Sequence, residues 1–217
     1  MMPRTVLKVR KDHFNGRRYY EDQRTGVKYR RLVGGLAWPF GTEDGACVVL
    51  AESYNPDFHV QRPKVFRLEE IVSPDITALL EWVHACQQDM FVVEWITPRD
   101  SHYMELLHQY NDELARLRRP TIYAASPPQW DRQECLRYYM RLLERRIRAE
   151  KTIHFGETSL IRDQCVALAK STENHHRRLE EFPGPAALLY ALAEVDLRPA
   201  DNLERRNRHG GDQLTGY

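Results

Sequence analysis

Arg137, Arg141, Arg145 and Arg148 follow one another at steps of four, four and three. That spacing sets the four guanidinium groups along one side of a helix. A row of arginine forks suits phosphate recognition, and each phosphate it neutralises releases counterions. Arg132, Arg146 and Lys151 lie close by in the chain. The same stripe also fits a solvated helix face on which Glu134 and Glu144 pair off part of the charge. Other chemistry-bearing residues make weaker patterns. Cys47, Cys86, Cys135 and Cys165 are far apart with no CxxC pair, which speaks against a zinc knuckle or a thioredoxin-type site; buried free thiols are expected. Glu105 and His108 form a lone ExxH pair, whereas a di-iron bundle needs two such pairs and two further glutamates. His175 and His176 sit in a polar stretch beside Arg177 and Arg178, a weak metal signal. No Ser-His-Asp or Cys-His arrangement has a local signature.

The charge is uneven along the chain. Over 217 residues the formal net charge is +1. Residues 1–31 hold ten Lys/Arg against three Asp/Glu, a net of +7; residues 43–113 hold four against fourteen, a net of −10; residues 116–151 hold ten against four, a net of +6. Arginine outnumbers lysine 26 to 6, which fits phosphate or carboxylate recognition and equally fits a GC-rich genome. Near the N-terminus Tyr19, Tyr20 and Tyr29 interleave with Arg17, Arg18, Arg30 and Arg31. These rings could stack on bases or pack the arm onto the rest of the protein. With 42% hydrophobic residues the chain can bury a core, so global disorder is not expected. No apolar run nears the ~20 residues of a membrane span, and residues 1–11 lack the apolar stretch of a secretory signal. A cytoplasmic protein is expected.

These residues need elements to hold them. Residues 1–27 read as a basic, irregular arm with a possible hairpin at Asn15-Gly16. Apolar strands are expected over 28–40, 46–54 and 64–72, the first two joined through a turn-forming stretch, Gly41 to Gly45. Ser73-Pro74-Asp75 reads as a helix start, with Ser73 as the cap. Ile76, Leu79, Leu80, Val83 and Met90 then recur at helical spacing. Residues 91–97 read as a buried strand. Asp100 or Ser101 caps a helix whose apolar face is Tyr103, Leu107, Tyr110, Leu114 and Leu117. Residues 121–125 form a fifth strand. Helices follow over 129–149, 159–170 and 186–195. The polar stretch 198–217 reads as a disordered tail. Trp82 and Trp95 fall on elements expected to be buried.

Three meandering strands followed by alternating helices and strands imply an α/β domain over 28–197. Its mixed sheet has five strands: three antiparallel, then two joined by crossover helices, with helices on both faces. That order resembles the ribonuclease-H-like fold, and in outline the nuclease domain of phage large terminases. Gly35-Leu36-Ala37-Trp38-Pro39 followed by Gly45 to Leu50 matches the family's first two strands; Ala186-Ala187-Leu188-Leu189-Tyr190-Ala191 matches its closing helix; Glu94, within Phe91 to Trp95, matches its acidic residue at the end of strand four.

The resemblance also implies what is missing. Two-metal phosphodiester hydrolysis needs several carboxylates around cations ~3.5–4 Å apart. Ala37 and Ala186 stand where the family has aspartates, and a methyl group cannot bind Mg²⁺. Glu94 is left as a remnant of the catalytic set. No GxxxxGK[ST] phosphate loop exists in the chain, so it could not drive a packaging motor alone. The expected function is a non-catalytic module in a phage or prophage setting. It would bind DNA, RNA or a protein partner, with no cofactor and no membrane. One alternative is a Mg²⁺- or Mn²⁺-dependent nuclease with relocated ligands, Glu94 with Glu52 and an acidic residue such as Glu180 or Glu181. Another is an assembly scaffold that binds no nucleic acid.

Overall fold

The computed structural model describes residues 3–39, 44–54, 64–92, 94–127, 133–149, 153, 155, 159–171 and 179–197. Strands β1 (Leu7–Lys11), β2 (Arg18–Asp22), β3 (Lys28–Ala37), β4 (Gly45–Ser53) and β5 (Val65–Ser73) run in sequence order as an antiparallel meander. Helix α1 (Ile76–Asp89) leads to β6 (Trp95–Ile96), and α2 (Ser101–Arg116) leads to β7 (Ala124–Ala125). β6 pairs parallel with β3 at Gly34 and Gly35, and β7 pairs parallel with β6. Helices α3 (Gln133–Arg148), α4 (Leu160–Ser171) and α5 (Pro183–Leu197) complete the chain, with a 3-10 turn at Leu179–Glu181 before α5.

The sheet therefore has seven strands where the pattern of residues 28–125 alone predicts five. The two additional strands come from the N-terminal arm. β1 and β2 form a hairpin that pairs in register from Leu7↔Asp22 to Lys11↔Arg18 and joins β3 at Tyr20↔Tyr29. Low apolar content hides these strands, because an edge hairpin needs one anchored side only. β2 and β6 share one edge of β3, the hairpin on its first residues and β6 on Gly34 and Gly35.

Strand alternation divides the core in two. On one side Leu32, Leu36, Cys47, Val49 and Ala51 meet α1 and α2 through Leu79, Val83, Leu107 and Leu114. On the other, Val33, Ala37, Ala46, Val48 and Leu50 meet α5, with Leu142 and Leu143 of α3 and Ile161 and Leu168 of α4 in the same cluster. α5 is buried on every side from Pro183 to Val195. A helix apolar all round has to lie between two layers, and α5 lies between the sheet and α3 and α4.

Local signals set the helix starts, with two shifts from expectation. Asp75, not Ser73, caps α1 by accepting from the Thr77 amide at 2.9 Å; Ser73 closes β5 and its hydroxyl accepts from the Asp75 amide at 3.1 Å. Asp100 caps α2 by accepting from the His102 amide at 3.0 Å. Pro183 opens α5 itself, where a missing N–H costs nothing. Among the described residues of 91–97 the strand covers Trp95–Ile96. Phe91 leaves α1 in the left-handed region, at φ 59, and its ring stacks on Tyr20 of the hairpin with centroids 5.8 Å apart. The tail 198–217 lies outside the described residues.

Candidate functional site

Three of the four stripe arginines, Arg141, Arg145 and Arg148, are exposed on α3. Leu142 and Leu143 are buried on its opposite side, against the α5 cluster. Arg137 lies on the same helix, and its side chain lies outside the described residues. Glu144 is exposed and pairs with Arg148 at 3.1 Å. With side chains 79% and 57% exposed, this pair barely neutralises the row, because water screens it. Arg146 points the other way and is buried. Arg132, Lys151, and the His175-His176 pair lie outside the described residues, as does the side chain of Glu134.

Glu94 does not close a strand. It stands just ahead of β6, where its carbonyl oxygen accepts from the Gly34 amide at 2.9 Å. Its carboxylate faces Arg31, whose Nη2 donates to Glu94 Oε2 at 3.0 Å and to Glu194 Oε1 of α5 at 2.9 Å. Beside it Arg30 Nη2 donates to Glu52 Oε1 at 2.6 Å. A register slip explains how neighbouring arginines reach one side of a strand. The β3–β4 pairing skips a residue between Tyr29 and Arg31, and such a bulge turns two successive side chains the same way. Both arginines thus join Glu52 and Glu194 on the α5 side. The cluster is dry: the side chains of Arg31, Glu194 and Glu52 are 8%, 5% and 1% exposed. Glu52 Oε2 is buried and accepts no hydrogen bond among the described residues.

Three glutamates are therefore tied to two neighbouring arginines, and sequence reasoning had named two of them, Glu52 and Glu94. It missed Glu194, favouring Glu180 or Glu181, of which Glu181 is half-buried in the 3-10 turn and the Glu180 side chain lies outside the described residues. The signal was available: Glu194 is a carboxylate within an otherwise apolar helix face, which has to find a buried partner. What the arrangement can do follows from its cations. One Arg31 nitrogen lies between the Glu94 and Glu194 carboxylates. Among the described residues no group of three or more His, Cys, Asp or Glu is set to hold a metal. As built, it is an ion-pair anchor joining β3, β4, the head of β6 and α5.

At the other end of β3 and α5 the surroundings are apolar. Ala37 and Ala186 are 4% and 1% exposed and belong to one cluster with Ile96 and Leu188. β3 holds no carboxylate at all, and α5 holds none before Glu194.

The tyrosines of the arm pack inward. Tyr19 stacks on Tyr54 at 5.1 Å, Tyr20 stacks on Phe91, and Tyr29 meets Phe66 edge-on at 5.9 Å. Cys47, Cys86 and Cys165 are free. Burial pushes the Cys47 and Cys86 thiols well above their usual range, and burial with Glu70 nearby takes Cys165 to about 12. They stay protonated near neutral pH and are poor nucleophiles. Glu105 and His108 are both exposed on α2. Trp82 and Trp95 are buried edge-to-face against each other, 6.1 Å apart.

No protein-family model matches the chain, and no curated protein matches it. Among solved structures it is similar to the Holliday junction resolvase of fowlpox virus, with a TM-score of 0.38 and 8% identical residues over 76% of this chain and 98% of that one. Among the described residues no helix is long and apolar enough to cross a membrane.

Proposed function

We propose that the chain is a ribonuclease-H-like module that binds nucleic acid through the exposed face of α3 and has no catalytic metal centre. The observation that carries the binding is the row Arg141, Arg145 and Arg148, held outward by the burial of Leu142 and Leu143. The fold reading is supported by the strand order β5-β4-β3-β6-β7, with β3 antiparallel to β4 and parallel to β6. That is the order expected of a ribonuclease-H-like sheet. Support for the lack of catalysis comes from the donor set. The α5-facing side of β3 beyond Arg31 offers Val33, Gly35 and Ala37, and the start of α5 offers Ala186; none of these can grip a hard cation. On this reading the chain is a non-catalytic relative of the terminase nucleases it resembles in outline, in a phage or prophage setting.

The placement of Glu52, Glu94 and Glu194 around the neighbouring Arg30 and Arg31 motivates a second reading, a nuclease with relocated ligands. Its cost is that Arg31 would have to leave the buried Glu194 and the half-buried Glu94 before a divalent ion could enter.

Fluorescence polarisation with labelled duplex and single-stranded DNA and RNA tests the proposal. Three phosphate contacts give a slope of about −2.7 in log K against log salt, so a fourfold rise in salt weakens binding about 40-fold. The Arg141→Glu, Arg145→Glu, Arg148→Glu variant is expected to bind at least about tenfold more weakly. Equal affinity of this variant and the wild type would overturn the α3 interface. A defined oligomer with no affinity at low salt would favour a scaffold instead. Plasmid is expected to survive Mn²⁺; cleavage abolished by Glu94→Ala would establish the nuclease reading.

A further inference from the structure

One aromatic side chain of the N-terminal hairpin is left outside all packing. Phe14, at the tip of the β1–β2 hairpin, is 102% exposed, while its neighbours Tyr19, Tyr20 and Tyr29 are all stacked or buried. A single exposed apolar residue is ordinary in itself. What sets this one apart is how firmly its turn is held. The Asp12 amide donates to the Arg17 carbonyl at 2.8 Å, and the Gly16 amide donates to the Asp12 carbonyl at 2.9 Å. Gly16 takes a φ of 70, a left-handed turn that suits glycine. Asp12 Oδ1 accepts from the Phe14 amide at 2.8 Å, and Asn15 Oδ1 accepts from the Arg17 amide at 2.9 Å. Tyr54, just beyond β4, clamps the tip from below: its hydroxyl donates to Asp12 Oδ2 at 2.5 Å and accepts from Asn15 Nδ2 at 3.0 Å.

The clamp also sorts the charge. Asp12, the tip's acidic residue, is turned toward Tyr54. Lys11, His13 and Arg18, in the turn or at its two ends, are exposed. Of the hairpin's outward cations, Arg10 pairs with a carboxylate, Glu21, at 3.0 Å. The result is an exposed aromatic side chain on an ordered turn, with exposed cationic residues at the turn and its two ends. A nucleobase presents a π-face to stack on and a phosphate at each step along its strand, and stacking of this kind tolerates any base. A lipid surface would call for more apolar side chains beside Phe14, and those next to it in the turn, His13 and Asn15, are polar.

We infer that the hairpin tip is a base-stacking element, with Phe14 engaging an unpaired nucleobase and the cations of the turn and its two ends engaging its backbone. This rests on the nucleic-acid reading above and adds a preference for unpaired over fully paired strands.

Three probes and three proteins test it. The probes are a fully paired duplex, the same duplex with a short single-stranded gap, and vesicles of anionic phospholipid. The proteins are the wild type, Phe14→Ala and Phe14→Trp. Tip substitutions touch no packed side chain, and circular dichroism confirms that each variant is folded. The expected result is that Phe14→Ala weakens binding to the gapped probe about tenfold, changes duplex binding less than twofold, and is rescued by Phe14→Trp. If Phe14→Ala leaves gapped-probe binding intact while the α3 charge reversal abolishes it, the hairpin inference falls and the α3 interface stands. If the wild type binds neither nucleic acid, both fall. Vesicle binding that Phe14→Ala abolishes would overturn the inference in favour of a membrane contact.

Discussion

Arg31 links residues far apart in the chain by satisfying Glu94 and Glu194 at once, 63 and 163 residues away. A buried carboxylate without its cation is among the costliest defects a core can hold. Arg31→Ala is therefore expected to lower unfolding free energy by about 3–5 kcal/mol, read as a shift in the urea midpoint. Removing charge together should cost far less: Arg31→Met combined with Glu94→Gln and Glu194→Gln is expected to recover most of the loss, since a dry apolar or neutral substitute avoids the desolvation penalty. A loss below about 1 kcal/mol for Arg31→Ala, the range of exposed pairs, would show that the cluster is not an anchor.

β3 and α5 approach too closely for ordinary side chains between them. A methyl group added at Gly35 would overlap the Ala187 carbonyl oxygen and come within 3.2 Å of the Ala191 Cβ. The first of these is backbone and cannot swing away. Gly35→Ala is expected to cost about 3 kcal/mol or more, measured by thermal and urea unfolding; a variant as stable as the wild type would mean that the helix rides higher on the sheet. Gly34, one residue earlier, faces the opposite side, where a methyl group would overlap the Trp95 ring. The two glycines let β3 lie flat between a helix on one side and a tryptophan on the other. α3 shows the complementary logic. Its buried side is fixed by Leu142 and Leu143, so Arg141, Arg145 and Arg148 lie on its exposed side.

Across the whole molecule, the meander closes back on itself. Glu69 of β5 accepts from the amides of Arg4 and Thr5 at 2.9 and 2.6 Å and from the Thr5 hydroxyl at 2.6 Å. The chain ahead of β1 thus meets the strand at the far end of the five-strand path. Glu69→Ala is expected to speed amide exchange in residues 4–11 while protection in β3, β4 and α5 is unchanged, since hydrogen bonds to a charged acceptor contribute about 1.5–3 kcal/mol each. Uniform loss of protection would mean instead that the arm is integral to the core. Much of this was legible beforehand. The alternation of 28–73, the helical periods of 76–116 and the apolar run 186–195 fixed the order of elements, because burial imposes a period on each element separately. The arginine row on α3 was legible for the same reason. The hairpin turn at Asn15-Gly16 was legible; the pairing of its strands onto β3 was not, since an exposed edge leaves no apolar period, and among the described residues β6 covers only Trp95 and Ile96. The sequence by itself determined which faces are apolar and which residues carry charge. Only the tertiary structure decided that Glu94 and Glu194 both meet Arg31, that three tyrosines turn inward, and that Phe14 is left to solvent. Those outcomes depend on contacts between residues tens to more than a hundred positions apart, and on a one-residue bulge in β3, and neither leaves a periodic trace in the chain.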